Sequence, residues 1–385
     1  MKVFGLKNAK IKSGQKVLVR VDFNVPLKKG RISDDYKIKR TLPTLVYLKQ
    51  AGAVLIVVSH LGRPKNRHDK SLSAKPLASA LQKLLKTKVT FIIDPFSPAF
   101  KTQLNKAKPG TIFMLDNIRY YPEENKNDSA FAKKLAALAD IYVNDAFADS
   151  HRAHATVNAI QFFLPSYAGF LLEEEVVNLR KIIKPIKPLV VIGGAKIDTK
   201  IGIISKMKKV AKYVLIGGAL ANDLLRAAGY EIGKSLVGDD KKAAKKVLGK
   251  NVILPLDAIV TNRKGKVEIK NVDEVEKDDK ILDIGPRTIC LFSNYIKKAK
   301  TIMWNGPLGM FEEPRFRQGT IAIAREIAYS SKYSSYTLVG GGETIEALKI
   351  AKAEKIVSWA STAGGAMIDY LSGQKMPGLI KIVKN

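Results

Sequence analysis

Short apolar runs recur along the chain, each rich in Val, Ile or Leu and most closed by a turn bearing Gly, Asp, Asn or His. In the first half, Val17-Leu18-Val19-Arg20-Val21, Val54 to Val58, Val89 to Ile93, Ile112 to Leu115 and Ile141-Tyr142-Val143 read as buried strands. In the second half, Leu189 to Ile192, Tyr213 to Ile216, Asn251 to Leu254, Thr301 to Trp304, Tyr336 to Val339 and Ile356-Val357-Ser358 do the same. Helical patterns lie between them. Leu42 to Gln50 is one, Ser73 to Leu85 another (with Ser73 as N-cap and Pro76 in the first turn), and Ala130 to Ala139 a third. Apolar strands alternating with amphipathic helices predict parallel sheets covered on both faces.

The expected fold class is therefore α/β, with two doubly wound, Rossmann-like parallel-sheet domains. Between the halves, Phe162 to Pro188 carries Pro165, Gly169, Pro185 and Pro188 around a helical Glu173–Ile183. Prolines at both ends of one helix predict a stiff connector, and the domain boundary is expected there. The charged stretch Lys264 to Lys280 reads as an irregular surface hairpin.

Composition narrows the picture. At 385 residues two domains are expected. No apolar run reaches the roughly 18 residues that span a bilayer. The N-terminus lacks the apolar region of a signal peptide. The single cysteine, Cys290, rules out an intrachain disulfide and points to a reducing, cytoplasmic setting. The net charge of +31 raises nucleic acid as a partner. However, 52 of the 66 basic residues are lysines, scattered as singles and pairs with no aromatic-basic motif. That pattern describes solvated faces, so no specific nucleic-acid partner is expected.

Chemistry concentrates after the strands. In the first half these segments are Asp22-Phe23-Asn24-Val25-Pro26, Ser59-His60-Leu61-Gly62-Arg63-Pro64, Asp116-Asn117-Ile118-Arg119 and His151-Arg152-Ala153-His154. Open parallel sheets bind ligands at the carboxyl ends of their strands. His and Arg converging there suit a small molecule bearing phosphate and carboxylate. His151 and His154 lack the spacing and partners of a metal site. The second half instead offers Gly193-Gly194-Ala195-Lys196, Gly217-Gly218-Ala219, Gly340-Gly341-Gly342-Glu343-Thr344 and Ser361 to Ala366, most of them between a strand and a helix. Backbone N–H groups at such turns hold phosphate. No Walker sequence and no dinucleotide fingerprint occurs. Lys196 and Lys200, four apart beside a glycine turn, suit a polyphosphate. Asn305-Gly306-Pro307 opens a rigid loop that ends at Glu312.

Together these motifs resemble the phosphoglycerate kinase family. The resemblance runs from about Val17 to Gly378 and rests on Val19 to Leu27, Ser59 to Pro64 and Trp304 to Pro307. It implies two α/β domains joined by a hinge helix and closing over the substrates. The expected N-terminal domain is 1–168 with a C-terminal return at 366–385, and the nucleotide domain is 169–365. It further implies that Asp22, Asn24, Lys37, His60, Arg63, Arg119 and Arg152 hold 3-phosphoglycerate. Lys196, Lys200, Asn305, Glu312, Gly341, Gly342, Glu343 and Thr344 would hold ADP or ATP, with Glu343 meeting Mg2+. Lys200, Lys37, Gly341 and Gly364 would act on the phosphoryl group in transfer. The implied reaction is reversible transfer between 1,3-bisphosphoglycerate and ADP by a cytoplasmic monomer.

Three positions depart from the family pattern. Lys37 stands where the family has Arg, keeping the charge and losing the bidentate fork, and Arg40, one turn on, is the expected partial substitute. Glu343 stands where Asp is commonest. Ala363 replaces a usual Gly.

Overall fold

The computed structural model describes residues 2–28, 30–66, 69–183, 187–194, 197–238 and 241–384, with the side chains of 183 and 197–201 outside the description. Two compact units divide the chain: Met1–Val176 with Gln374–Asn385, and Val177–Gly373. The first division falls inside the helix Phe170–Ile183.

The first unit is built on six strands: β1 (Lys16–Val21), β2 (Val54–Val58), β3 (Val89–Ile92), β4 (Ile112–Leu115), β5 (Ile141–Asp145) and β6 (Ser166–Ala168). They pair in the order β3-β4-β2-β1-β5-β6, all parallel. The chain winds one way from β1 to β2 and the other way to β5, so the crevice beside β1 is a topological switch point. Alternation along β1 sends Val17, Val19 and Val21 into one core with Leu55, Val57 and Val143. Each such fully buried side chain contributes about 1.5–3 kcal/mol. Arg20, on the opposite face, is fully buried as well, and its register partners are Val58 and Asn144. The C-terminal segment returns to this unit: Val383–Lys384 pairs with Lys2–Val3, and Asn144 Nδ2 donates to Gly378 O.

The second unit repeats the plan with β7 (Leu189–Ile192), β8 (Tyr213–Ile216), β9 (Val252–Ile253), β13 (Thr301–Asn305), β14 (Tyr336–Gly340) and β15 (Trp359–Ser361). Their order is β9-β8-β7-β13-β14-β15, again all parallel. The remaining strands, β10 (Asp257–Thr261), β11 (Val267–Asn271) and β12 (Lys280–Ile284), form a separate antiparallel sheet in the order β11-β10-β12.

Several elements differ from the sequence expectation. The stretch read as an irregular hairpin supplies β11 and the start of β12; its charges are kept by pairing, Lys270 with Glu276 and Asp279 and Lys266 with Glu268, while Val267 and Ile269 lie exposed. The last strand begins at Trp359, three residues after the expected Ile356. The second helix starts at Lys75 with Ala74 as its cap residue, because the Ser73 hydroxyl donates to Asp116 Oδ1 and its oxygen accepts from Lys75 N. The third is Ser129–Ala136, capped by Asp128, whose carboxylate accepts from Phe131 N.

Candidate active site

In the first unit the loops after β1, β2 and β4 are tied together at the carboxyl edge. Asn24 Oδ1 accepts from Gly62 N at 2.9 Å, and Ser59 Oγ accepts from Phe23 N at 2.9 Å. Asn117 accepts from Leu61 N and donates back to Leu61 O, and Arg119 Nη1 donates to Gly62 O at 2.9 Å. A short polar side chain in each loop therefore holds its neighbour's backbone, which is why Asn and Ser recur at these positions. Asp22 accepts from Asn24 N at 3.0 Å and from Lys37 Nζ at 2.7 Å.

Behind this rim lies a buried ionic network. The Arg20 Nε donates to Thr156 Oγ1 at 2.9 Å, its Nη1 to Val21 O, and its Nη2 to Asp149 Oδ2 at 3.2 Å. His60 Nδ1 lies 3.3 Å from the same Asp149 oxygen and 3.2 Å from Arg20 Nη2. Thr156 is held from the other side: its N–H and hydroxyl donate to Glu124 at 2.8 and 2.7 Å. Burial lowers the His60 pKa to about 4 despite the facing Asp149, so the ring is neutral at neutral pH. Burial alone would raise the Asp149 carboxyl; the facing His60 and Arg20, with Arg119 and Arg152 behind them, hold it far below the usual carboxylate range. With the imidazole neutral, the arginines carry that effect. Burial pushes Glu124 up against the opposing pull of Arg20 and Thr156. Burial, followed by Arg119, lowers His154 to about 4.

The site is thus a rim of cations that leaves some of its own hydrogen bonds unmade. Arg119 is 9% exposed, and its Nε has no hydrogen-bond partner among the described residues. A buried guanidinium N–H left unpaired is costly unless an acceptor arrives. Arg63 is exposed beside it, and Arg152 is half-buried with its Nε donating to His151 Nε2 at 3.2 Å. Among the described residues, Asp22, His60 and Asp149 are the only group of three or more His, Cys, Asp or Glu residues whose ligand atoms fall within 4.8 Å of one another. Lys37 and Arg20 already neutralise the two carboxylates, so this cluster does not need a metal ion. Arg40 is directed elsewhere: its guanidinium donates to Glu174 Oε2 at 3.2 Å and to Tyr36 OH at 3.3 Å. These partners compete with the substitution expected of Arg40. A larger open groove of ≈ 850 Å³ in this unit, lined by Lys16, Phe96 and Phe131 among others, contains none of the site residues.

The second unit builds its site from backbone. The turns after β7, β8, β13 and β14 interlock: Gly193 N donates to Asn305 O, Gly217 N to Ile192 O and Gly218 N to Leu308 O. Asn305 Nδ2 donates to Gly340 O at 2.7 Å, and Thr344 Oγ1 accepts from Gly306 N at 2.7 Å. A Cβ on Gly193 would sit 1.9 Å from Pro307 O, so only glycine lets these turns touch. Gly218 and Gly341, at φ +64° and +99°, precede the helices Ala219–Ala228 and Gly342–Ile350. A Cβ on Gly364 would lie 3.8 Å from both Asn305 Nδ2 and Gly341 Cα. Helix N-termini here face the carboxyl edge of the sheet, where their free N–H groups favour anions.

Beside these turns is a cavity of ≈ 340 Å³, lined by Gly194, Gly218, Leu236, Met310, Glu312 and Glu343 among others. Its walls combine apolar side chains with a few polar groups, as small-molecule sites do. Glu343 is exposed in the first turn of its helix, and Gly342 faces open space. The structure thus gathers Glu312 and Glu343 at one cavity, and Asn305, Gly341, Thr344 and Gly364 at the adjoining turns. Lys196 lies outside the described residues, and of Lys200 only the backbone is described, in the helix Ile197–Val210.

Sequence reasoning missed Arg20, Asp149, Glu124 and Thr156 as parts of the first site. Arg20 carried a signal, a lone charge inside an otherwise apolar strand. Asp149 carried none, because an Asp two residues before a His reads as an ordinary turn residue.

The family model described as "Phosphoglycerate kinase" matches residues 6–374. A phosphoglycerate kinase of Dictyoglomus turgidum is 44% identical over 378 residues, covering 95% of each chain. One from Wolbachia pipientis is 43% identical over 385 residues, covering 96% of each. Among solved structures, phosphoglycerate kinase from Pyrococcus horikoshii superposes with a TM-score of 0.87 at 29% identity, covering 98% of each chain. That from Coxiella burnetii gives 0.83 at 36% identity, covering 99% of each.

Proposed function

This chain belongs to the phosphoglycerate kinase family, and from that premise we propose how its own residues divide the work. The enzyme is a phosphotransferase acting on a carboxyl group: it moves the acyl phosphate of 1,3-bisphosphoglycerate to ADP, reversibly, in glycolysis. The first unit holds the glycerate. Arg63, Arg119 and Arg152 offer donors to its anionic oxygens, while Asp22, Asn24 and His60 offer partners for the rest. Lys37 supplies a point charge at the rim. The second unit holds the nucleotide in the ≈ 340 Å³ cavity, with phosphates toward the N-termini after Gly218, Gly341 and Gly364.

The observation that carries this reading is the contrast between the two sites. One is a cluster of arginines around a buried, unpartnered Arg119 Nε. The other is a set of glycine turns and helix N-termini. A small, highly charged acid suits the first, and an extended polyphosphate with an apolar base suits the second.

In transfer, the bond between phosphorus and the acyl oxygen breaks, and its electron pair stays on the departing carboxylate. An oxygen of the ADP β-phosphate forms the new bond. Neither partner needs a general base, so the chain's task is positioning and neutralising charge on the phosphoryl oxygens. Lys196 and Lys200, with the N–H groups after Gly341 and Gly364, are assigned that role. Mg2+ fits this arrangement, since it is bound by one or two carboxylates plus substrate phosphates, and Glu343 on the cavity wall is such a carboxylate. When bound, the ion would neutralise charge on the nucleotide phosphates. The proposal includes a monomeric, cytoplasmic enzyme; no described helix is long and apolar enough to cross a membrane.

The test is a coupled assay with 3-phosphoglycerate and Mg-ATP on purified protein, with Lys200→Ala beside it. Turnover in the wild type and a loss of about 100-fold or more in the variant are expected, as for removal of one transition-state donor. Absence of turnover in the wild type would overturn the reading.

A further inference from the structure

We propose that Asp149 is a positioning residue for the glycerate site: it keeps the proton of His60 on Nδ1 and leaves Nε2 as the ring's open position. The inference rests on the functional reading above only for what binds at His60; the proton assignment stands on geometry alone.

Three atoms form a tight triangle. Asp149 Oδ2 lies 3.2 Å from Arg20 Nη2 and 3.3 Å from His60 Nδ1, and the two nitrogens are 3.2 Å apart. A neutral imidazole carries one N–H. Nδ1 can therefore donate to Asp149 or accept from Arg20, and it cannot do both. Arg20 is satisfied without the ring, through Thr156 Oγ1, Val21 O and Asp149 itself. Thr156 cannot turn away, since its hydroxyl hydrogen is committed to Glu124 Oε1 at 2.7 Å, which leaves its lone pairs for Arg20. A bare Nδ1 would set a lone pair against a buried carboxylate at 3.3 Å. With the proton on Nδ1 that contact becomes a charge-assisted hydrogen bond, in a setting where water does not compete.

The other charged groups around the ring do not reverse this choice. Asp22 is paired with Lys37, and Arg119 donates to Gly62 O. His60 Nε2 has no hydrogen-bond partner among the described residues, so it is the position left for a ligand. The second partner of a histidine decides which ring nitrogen faces the ligand, and here that partner is Asp149. Arg20 acts with it: the guanidinium keeps the carboxylate ionised and fixes where it points.

The experiment is nitrogen-15 NMR of histidine-labelled full-length protein near pH 7.5, free and titrated with 3-phosphoglycerate, for the wild type and Asp149→Asn. In the free wild type, His60 should carry its proton on Nδ1. In Asp149→Asn the side-chain amide offers a donor and cancels no charge, so Nδ1 should turn acceptor and the proton should move to Nε2. The same titration should show a change of at least about fivefold in the affinity for 3-phosphoglycerate. In steady state that change should fall on the KM for 3-phosphoglycerate, with kcat and the KM for Mg-ATP altered by less than about threefold. A wild-type His60 protonated on Nε2 overturns the proposal without recourse to any variant. An unchanged tautomer in Asp149→Asn, or a shifted tautomer with unchanged affinity, overturns it too. Absence of kinase turnover in the wild type would instead count against the functional reading, since the NMR assignment does not depend on catalysis.

Discussion

Asp145 gives the most quantitative expectation. It ends β5, is fully buried, and receives the N–H of Leu172 at 3.1 Å on Oδ1, while Oδ2 has no partner among the described residues. Burial raises its pKa from 3.8 to about 7, against the opposing effect of hydrogen bonds from Thr44, Leu172 and Leu171. A carboxyl with a raised folded-state pKa binds its proton more tightly in the native protein than in the unfolded chain. Native stability therefore falls as pH rises from about 4 to about 7, and the loss is complete above that range. A shift of about 3 units corresponds to about 4 kcal/mol for this one group. Asp145→Asn keeps the shape and the acceptor Oδ1 but puts an NH2 group where Oδ2 already lacks a partner. That unpaired donor costs about 1–3 kcal/mol at every pH. The variant should thus be less stable than wild type at pH 5 and equal or more stable at pH 8. The difference between them should move by about 2–3 kcal/mol over that interval. Urea unfolding followed by far-ultraviolet circular dichroism at pH 5, 6, 7 and 8 measures it. Asp283, also raised to about 7 by burial, contributes equally to both proteins and cancels. A stability difference that does not change with pH would refute the reasoning.

Other expectations follow from the same contacts. Arg40→Ala should leave kcat/KM for 3-phosphoglycerate within about threefold, because Arg40 is engaged with Glu174 and Tyr36; Lys37→Ala should lower it by about tenfold or more, the effect of losing a charge-assisted contact. Gly193→Ala should force the β7 turn away from Pro307 O, raising the KM for Mg-ATP while sparing that for 3-phosphoglycerate, both read in the coupled assay. Glu343→Gln should raise the Mg2+ concentration needed for half-maximal rate without changing thermal stability by more than about 0.5 kcal/mol, since its side chain is exposed.

Much of this architecture was legible because strand and helix write different periods into the chain. Buried parallel strands are continuous apolar runs, and nearly every one in the two large sheets was readable from that alone. Strand Trp359–Ser361 was misplaced because it is only three residues long and neither Trp359 nor Ala360 is fully buried. The antiparallel sheet β10 to β12 escaped because β11 inverts the usual pattern: Val267 and Ile269 are exposed while Glu268 and Lys270 are half-buried. At the site, residues in short loops after strands were visible through type and spacing. The network beneath them was not, because Arg20, Glu124, Asp149 and Thr156 are distant in sequence. Arg20 and Thr156 are 136 residues apart and still make a 2.9 Å hydrogen bond. Contacts of that range depend on topology, which local pattern does not encode.

The two sites solve the same physical problem by different means, and the difference bears on how each responds to change. The first buries an ion pair, Arg20 with Asp149, and links it through Thr156 to Glu124, whose carboxyl burial pushes up. Arg20, Asp149 and Glu124 are each held by at least one of the others or through Thr156, so removing one leaves the rest uncompensated in a medium where water cannot enter. Substitutions there should be coupled: the effects of Asp149→Asn and Thr156→Val should not add. The second site uses peptide dipoles, which carry no net charge and need no counter-ion. Its tolerance is limited by space, with Gly193 and Gly218 lacking room for a methyl group. An anion in the first site would therefore depend on the protonation and pairing of a few side chains, whereas one in the second would depend on keeping the turns close. Salt distinguishes them further. The exposed Arg63 is screened beyond about 8 Å at physiological ionic strength, whereas Arg20 and Arg119, being buried, are screened much less. Raising ionic strength should accordingly weaken 3-phosphoglycerate through the rim and leave the inner network intact.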